Sequence, residues 1–144
     1  LYLPSMVGKK NGKIVVAFDV SGSMQDPKLV SLHQELAGMM TEVEPDEVLT
    51  MYCDYEINKV VSFFYPEEVV PCRVGGRGTD FRPVFDAIKK MDEEPACLIY
   101  FTDLKGRFPA ADPGYPVLWV DFSDQAGTPY AVKAPFGETA VLCD

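Results

Sequence analysis

Asp19, Ser21 and Ser23 stand two residues apart at the end of an apolar run, with Gly22 between the serines. Glycine lets the backbone turn tightly there, so one carboxylate and two hydroxyls can face a single point. Hard oxygens suit a hard cation. Two hydroxyls with one carboxylate favour Mg²⁺ or Mn²⁺ over zinc. A further carboxylate, Asp103, follows the apolar run 97–101. Alone, the Asp-x-Ser-x-Ser spacing is a weak signal, because serine and aspartate also cap helices and close turns.

These residues need a frame. Residues 14–18 (Ile-Val-Val-Ala-Phe) are too short for a helix and rich in β-branched side chains, which predicts a buried parallel strand. After the Asp19 loop, Asp26 and Pro27 mark a helix start. Leu29, Leu32, Leu36, Met39, Met40 and Val43 then form one apolar stripe that stops before Pro45. Residues 48–57 and 60–65 read as two strands joined by a tight turn at Asn58-Lys59, which makes them antiparallel neighbours. Gly75-Gly76-Arg77-Gly78 leads to Thr79 and Asp80, one or the other of which is read as the cap of a second helix with Pro83 in its first turn, ending near Met91. Residues 97–101 and 117–120 are core strands, separated by an irregular Gly- and Pro-rich connection. A last short strand falls near 139–142. Strands alternate with helices and the central strands are apolar on both faces. The expected fold is α/β: a Rossmann-like open, mostly parallel sheet with an antiparallel edge strand and helices on both faces. Ligands of such sheets bind beyond the carboxyl ends of the strands, the edge that holds Asp19 and Asp103.

Composition narrows the choice. The 144 residues, 47% hydrophobic and 24% charged, suit one soluble domain. A net charge of −9 argues against nucleic-acid and anionic-membrane partners. It suits a cation or a basic partner surface, although solubility alone also explains it. Cys53, Cys72, Cys97 and Cys143 have no metal-type spacing and no disulfide pattern, which points to a reducing, cytoplasmic setting.

Joined to Gly-Gly-Arg-Gly-Thr79-Asp80 and Phe-Thr-Asp103, the Asp19 loop resembles the metal-ion-dependent adhesion site of von Willebrand factor type A (VWA) domains. Residues 75–85, 100–109 and 135–138 are more closely similar to the bacterial VWA-like domain at the C-terminus of predicted metal-dependent peptidases. That resemblance implies a metal set of Asp19, Ser21, Ser23, Thr79 and Asp103. Ser21 and Ser23 would bind directly, Thr79 directly or through water, and Asp19 and Asp103 mainly through water. It also implies a Mg²⁺ or Mn²⁺ cofactor, a protein partner that donates an acidic residue to the metal, and an upstream peptidase-like region in a longer chain.

Several residues carry blander expectations. His33, with no His-Glu-x-x-His around it, is placed on the surface of the first helix. Asp80 is read as a cap, and Asp54 and Asp121 as solvated loop carboxylates. Arg73, Arg77 and Arg82 either steer an acidic partner or balance local acids. Asp19→Ala is expected to leave the fold intact, on the view that Asp19 sits in a solvent-facing loop. Two rival functions stay open: a VWA-like structural module with no metal in the cell, and a phosphoryl-transfer enzyme with Asp19 as nucleophile. The second lacks the usual general acid, since Ser21 stands at its position. The favoured reading is non-catalytic.

Overall fold

Apolar residues on both faces place β1 (Lys13–Asp19) at the centre of the sheet, with six of its seven residues buried. The computed structural model describes residues 12–20, 26–64 and 78–142. On one side β1 pairs in parallel with β2 (Glu47–Cys53), and on the other with β4 (Cys97–Thr102). Beyond β4 lie β5 (Val117–Asp121) and β6 (Glu138–Val141), both parallel. The far edge is β3 (Ile57–Phe64), antiparallel to β2. The order is therefore β3-β2-β1-β4-β5-β6. Strand order reverses between β1 and β4, the place where an open α/β sheet leaves a crevice for ligands.

Alternation along the strands divides the core in two. Ile14, Val16 and Phe18 pack with Leu32, Leu36 and Met39 of α1 (Asp26–Val43). Val15 and Ala17 point the other way, to Val84, Phe85 and Ile88 of α2 (Arg82–Lys89). The helices thus cover opposite faces, as expected. Neither among the described residues is long and apolar enough to cross a membrane.

Two local expectations change. The β2–β3 turn falls at 54–56, not at Asn58-Lys59, which lie inside β3. The Asp54 side chain explains the shift. Its Oδ1 accepts the Glu56 N–H at 3.0 Å, an Asx turn that closes the hairpin three residues early. The second helix starts at Arg82, with Phe81 rather than Thr79 or Asp80 at its cap position. Asp80 still serves the helix mouth, since its Oδ1 accepts the Arg82 N–H at 3.0 Å.

His33 is buried, at 4% exposure, and not on the helix surface. Its ring stacks on Phe18 at 4.3 Å. Nδ1 lies 2.8 Å from the Leu29 carbonyl, which can only accept, so Nδ1 carries the proton and Nε2 accepts from the Tyr52 hydroxyl at 2.8 Å. Burial lowers the His33 pKa below its ordinary 6.5, outweighing the Leu29 hydrogen bond that acts in the opposite sense. The unfolded chain then binds the proton more readily than the folded one. Stability is unaffected well above pH 6.5 and falls as the pH drops through that value. Thermal melts at about pH 7.5 and about pH 5.5 are expected to show a larger acid loss for the wild type than for His33→Gln. Equal losses would mean that other groups carry the acid sensitivity.

Candidate metal centre

Asp19 ends β1 on the α2 side of the sheet, continuing the Val15, Ala17 alternation, and is fully buried. A buried carboxylate needs hydrogen-bond donors or a cation. Among the described residues, two hydroxyls meet it. Thr102 Oγ1, at the end of the neighbouring β4, donates to Asp19 Oδ2 at 2.8 Å. Thr79 Oγ1 donates to the same carboxylate, 3.1 Å from Oδ1 and 3.3 Å from Oδ2. Parallel register makes the first contact possible: Phe18 pairs with Phe101, so the next residues lie side by side on one face.

The Thr79 contact depends on how its loop is tied down. The Asp80 N–H donates to the Asp54 carbonyl at 2.9 Å, and the Phe81 N–H to the Arg107 carbonyl at 3.0 Å. Phe81 is fully buried against Tyr100, Phe108 and Trp119. Gly106 closes the third side. A Cβ there would stand 2.7 Å from the Thr79 methyl and 2.9 Å from the Phe81 ring, so only glycine lets the two loops approach this closely.

Asp103, one residue past β4, is half-buried, and its Oδ1 accepts the Lys105 N–H at 2.9 Å. Leu104 follows with φ of 66°, left-handed backbone for a side chain buried in the core. The Thr102 hydroxyl helps hold that turn by accepting the Leu104 N–H at 3.1 Å. Cys53 and Tyr100 lie within the core on the same face of the sheet. Burial raises the Cys53 thiol far above its ordinary range, with Asp19 and Asp54 adding to the shift. A thiol kept protonated in this way is no poised nucleophile.

A family profile described as "VWA-like domain (DUF2201)" matches residues 14–143. The chain belongs to this VWA-like family. No curated protein matches the sequence. A solved structure with a similar fold is that of an aerotolerance-related membrane protein from Bacteroides fragilis NCTC 9343, crystallised with multiple mutations to serines. The two chains are 14% identical, with 85% of this chain and 77% of that chain covered and a TM-score of 0.51. At that identity the likeness concerns the fold alone.

Of the five residues expected to form the metal set of this VWA-like domain, the structure brings Asp19 and Thr79 into contact. It places Asp103 immediately after Asp19's other partner, Thr102. Ser21 and Ser23 lie outside the described residues, as do Arg73 and Arg77. Asp19 itself is corrected: it is a buried strand residue held by two hydroxyls, so its replacement bears on the fold as well as on any ion. Asp54 and Asp121 are also buried, at 5% and 1% exposure, and each accepts a backbone N–H two residues ahead. Arg82 is engaged by Asp80 through Nε at 2.9 Å and Nη2 at 2.7 Å, and the guanidinium holds the Asp80 carboxyl below its usual range.

Thr102 was not singled out from the sequence. Strand alternation, which puts it on the Leu98 and Tyr100 side, was the available signal.

The donor chemistry fits a hard cation. Asp19 and Thr79 offer only oxygens, and a Thr79 hydroxyl that gives its proton to Asp19 keeps lone pairs for an ion. Among the described residues no three His, Cys, Asp or Glu side chains gather as a metal-binding group. Among the described residues, the oxygens available to an ion here are the Asp19 carboxylate and the Thr79 and Thr102 hydroxyls.

Proposed function

We propose that this VWA-like domain is a non-catalytic, metal-dependent protein-binding module of the adhesion-site type. The observation that supports this most directly is the Thr79 hydroxyl resting on the Asp19 carboxylate, two residues sixty positions apart meeting at the strand-order reversal. Asp19, Ser21, Ser23, Thr79 and Asp103 would hold Mg²⁺ or Mn²⁺. Bound there, the ion would present positive charge to which a carboxylate from a protein partner could attach. The ion supplies charge for that capture, and the protein supplies fixed oxygens around it. On this reading the domain works in the cytoplasm as the C-terminal module of a longer chain and serves an upstream peptidase-like region.

Calorimetry with Mg²⁺ and Mn²⁺ tests it. Binding heat is expected for the wild type and a loss of about tenfold or more in affinity for Ser21→Ala and Thr79→Ala, each losing one oxygen ligand. Absence of heat in the wild type would leave a structural module with no ion. Turnover of a phosphate ester, lost in Asp19→Asn, would instead make the domain a phosphoryl-transfer enzyme.

A further inference from the structure

Left-handed backbone is uncommon for residues other than glycine, and among the described residues it occurs at Glu44 and Leu104. Glu44 has a local reason. It follows the last residue of α1, and its N–H reaches back to the Met40 carbonyl at 2.9 Å, an ordinary way for a helix to end. Leu104 ends no helix. It stands just beyond β4, between Asp103 and Lys105, with φ of 66° and a side chain 1% exposed. Strain of this kind persists only where the surroundings overrule it, and such places cluster at functional sites.

Two sets of contacts overrule it here. The Leu104 side chain joins the core between the sheet and α2, with Phe81, Val84 and Tyr100. Its N–H donates to Thr102 Oγ1 at 3.1 Å, and the Thr102 hydroxyl donates in turn to Asp19 Oδ2 at 2.8 Å. One residue on, the Lys105 N–H donates to Asp103 Oδ1 at 2.9 Å. Asp103 Oδ2 accepts no hydrogen bond from the described residues.

The stretch continues to the third loop of the site. Gly106 lies against the Thr79 methyl, and Arg107 forms a parallel bridge with Asp80. Residues 102–107 therefore touch Asp19, carry Asp103 and abut Thr79. Within 103–107 only Leu104 is buried, so its side chain is the anchor of the stretch.

We propose that Leu104 is a positioning residue of the candidate metal centre: its buried side chain pins the left-handed turn that presets Asp103 and, through Thr102, Asp19. It offers no ligand atom. This inference rests on the metal reading and names a residue that sets the affinity of that site. The pinned turn orders both carboxylates before an ion arrives, which leaves little ordering to be done on binding. Without the anchor, a side chain at 104 leaves the left-handed region. The N–H at 104 then parts from Thr102, and Asp103 loses its tie to Lys105.

Leu104→Ala, Leu104→Met and Leu118→Ala, each stripped of metal, test this by Mg²⁺ and Mn²⁺ calorimetry beside thermal melts and amide hydrogen exchange. Leu118 is also a buried leucine, at 3% exposure, but it packs on the α1 face of the sheet. Both alanine variants should melt lower than the wild type. Only Leu104→Ala should bind Mg²⁺ more weakly, by about tenfold. Leu104→Met keeps a long apolar anchor and should bind within about twofold of the wild type. Without metal, the Lys105 amide should exchange slowly in the wild type and several-fold faster in Leu104→Ala. The wild-type half of that comparison needs neither an ion nor a folded variant, and an unprotected Lys105 amide there would overturn the proposal. So would wild-type binding heat with an equal isotherm for Leu104→Ala, or an equal loss in Leu118→Ala; both outcomes leave the metal reading standing. No heat in the wild type would remove the metal reading and this inference together.

Discussion

Asp19→Ala is expected to abolish Mg²⁺ binding and also to lower stability by about 1–3 kcal/mol, the usual consequence of leaving buried polar groups without their acceptor. The loss falls mainly on Thr102, whose buried hydroxyl donates to Asp19 Oδ2, and less on half-buried Thr79. For a chain of this size the melting temperature should drop by about 3–10 °C. Asp19→Asn separates the two effects. It keeps the volume and one accepting oxygen, and it removes a charge whose burial is itself unfavourable. That variant should melt near the wild type without metal yet give no Mg²⁺ heat. A wild-type binding isotherm for Asp19→Asn would remove the carboxylate from the site. An alanine variant as stable as the wild type would show that the hydroxyls find other acceptors.

The largest effect on folding is expected far from the ion. Gly137 has φ of 78°, and a Cβ there would meet the Val117 carbonyl at 2.7 Å, Val117 Cβ at 3.1 Å and Trp119 Nε1 at 3.2 Å. Left-handed backbone costs a side chain about 1–2 kcal/mol and overpacking about 1–3 kcal/mol. The crowded atoms are backbone and a buried indole, which also donates to the Phe136 carbonyl at 3.0 Å, so the chain has little room to yield. Gly137→Ala should therefore cost about 2–4 kcal/mol in urea unfolding followed by Trp119 fluorescence. Gly127 provides the internal comparison. It shares φ of 78°, but its nearest atom would be Val141 Cγ2 at 3.5 Å. Gly127→Ala should cost only the backbone share, about 1–2 kcal/mol. Equal effects at the two positions would mean that the Val117 contact relaxes freely.

The central strands were legible because β1, β4 and β5 are apolar on both faces and bounded by turn residues, which leaves no other periodicity to fit. The parallel order around them, with β3 as the antiparallel edge, follows from the long connections and the one short hairpin. The hairpin's position was misread because Asn58-Lys59 looks like a turn. The deciding interaction is a side-chain acceptance by Asp54, which carries no periodic signature. His33 was misplaced for a related reason. Its helical stripe is written in leucines and methionines, while its burial depends on a hydrogen bond to Tyr52 from another element. At the site, Asp19 and Thr79 were readable as motif residues. The role of Thr102 was hidden behind the adjacent Asp103, since a motif reading attends to the charged residue and passes over the strand residue facing the same way as Asp19.

The ladder that pairs β1 with a strand on each side has an evolutionary consequence. Asp19 is aligned with Cys53 on one flank and, one step past the Phe18–Phe101 pair, with Thr102 on the other. Side chains alternate with a period of two along a strand, so a single-codon insertion or deletion within 14–18 or 97–101 would turn the carboxylate and the hydroxyl to opposite faces. Indels should therefore accumulate in the β4–β5 and β5–β6 connections, while the two central strands keep constant length throughout the lineage.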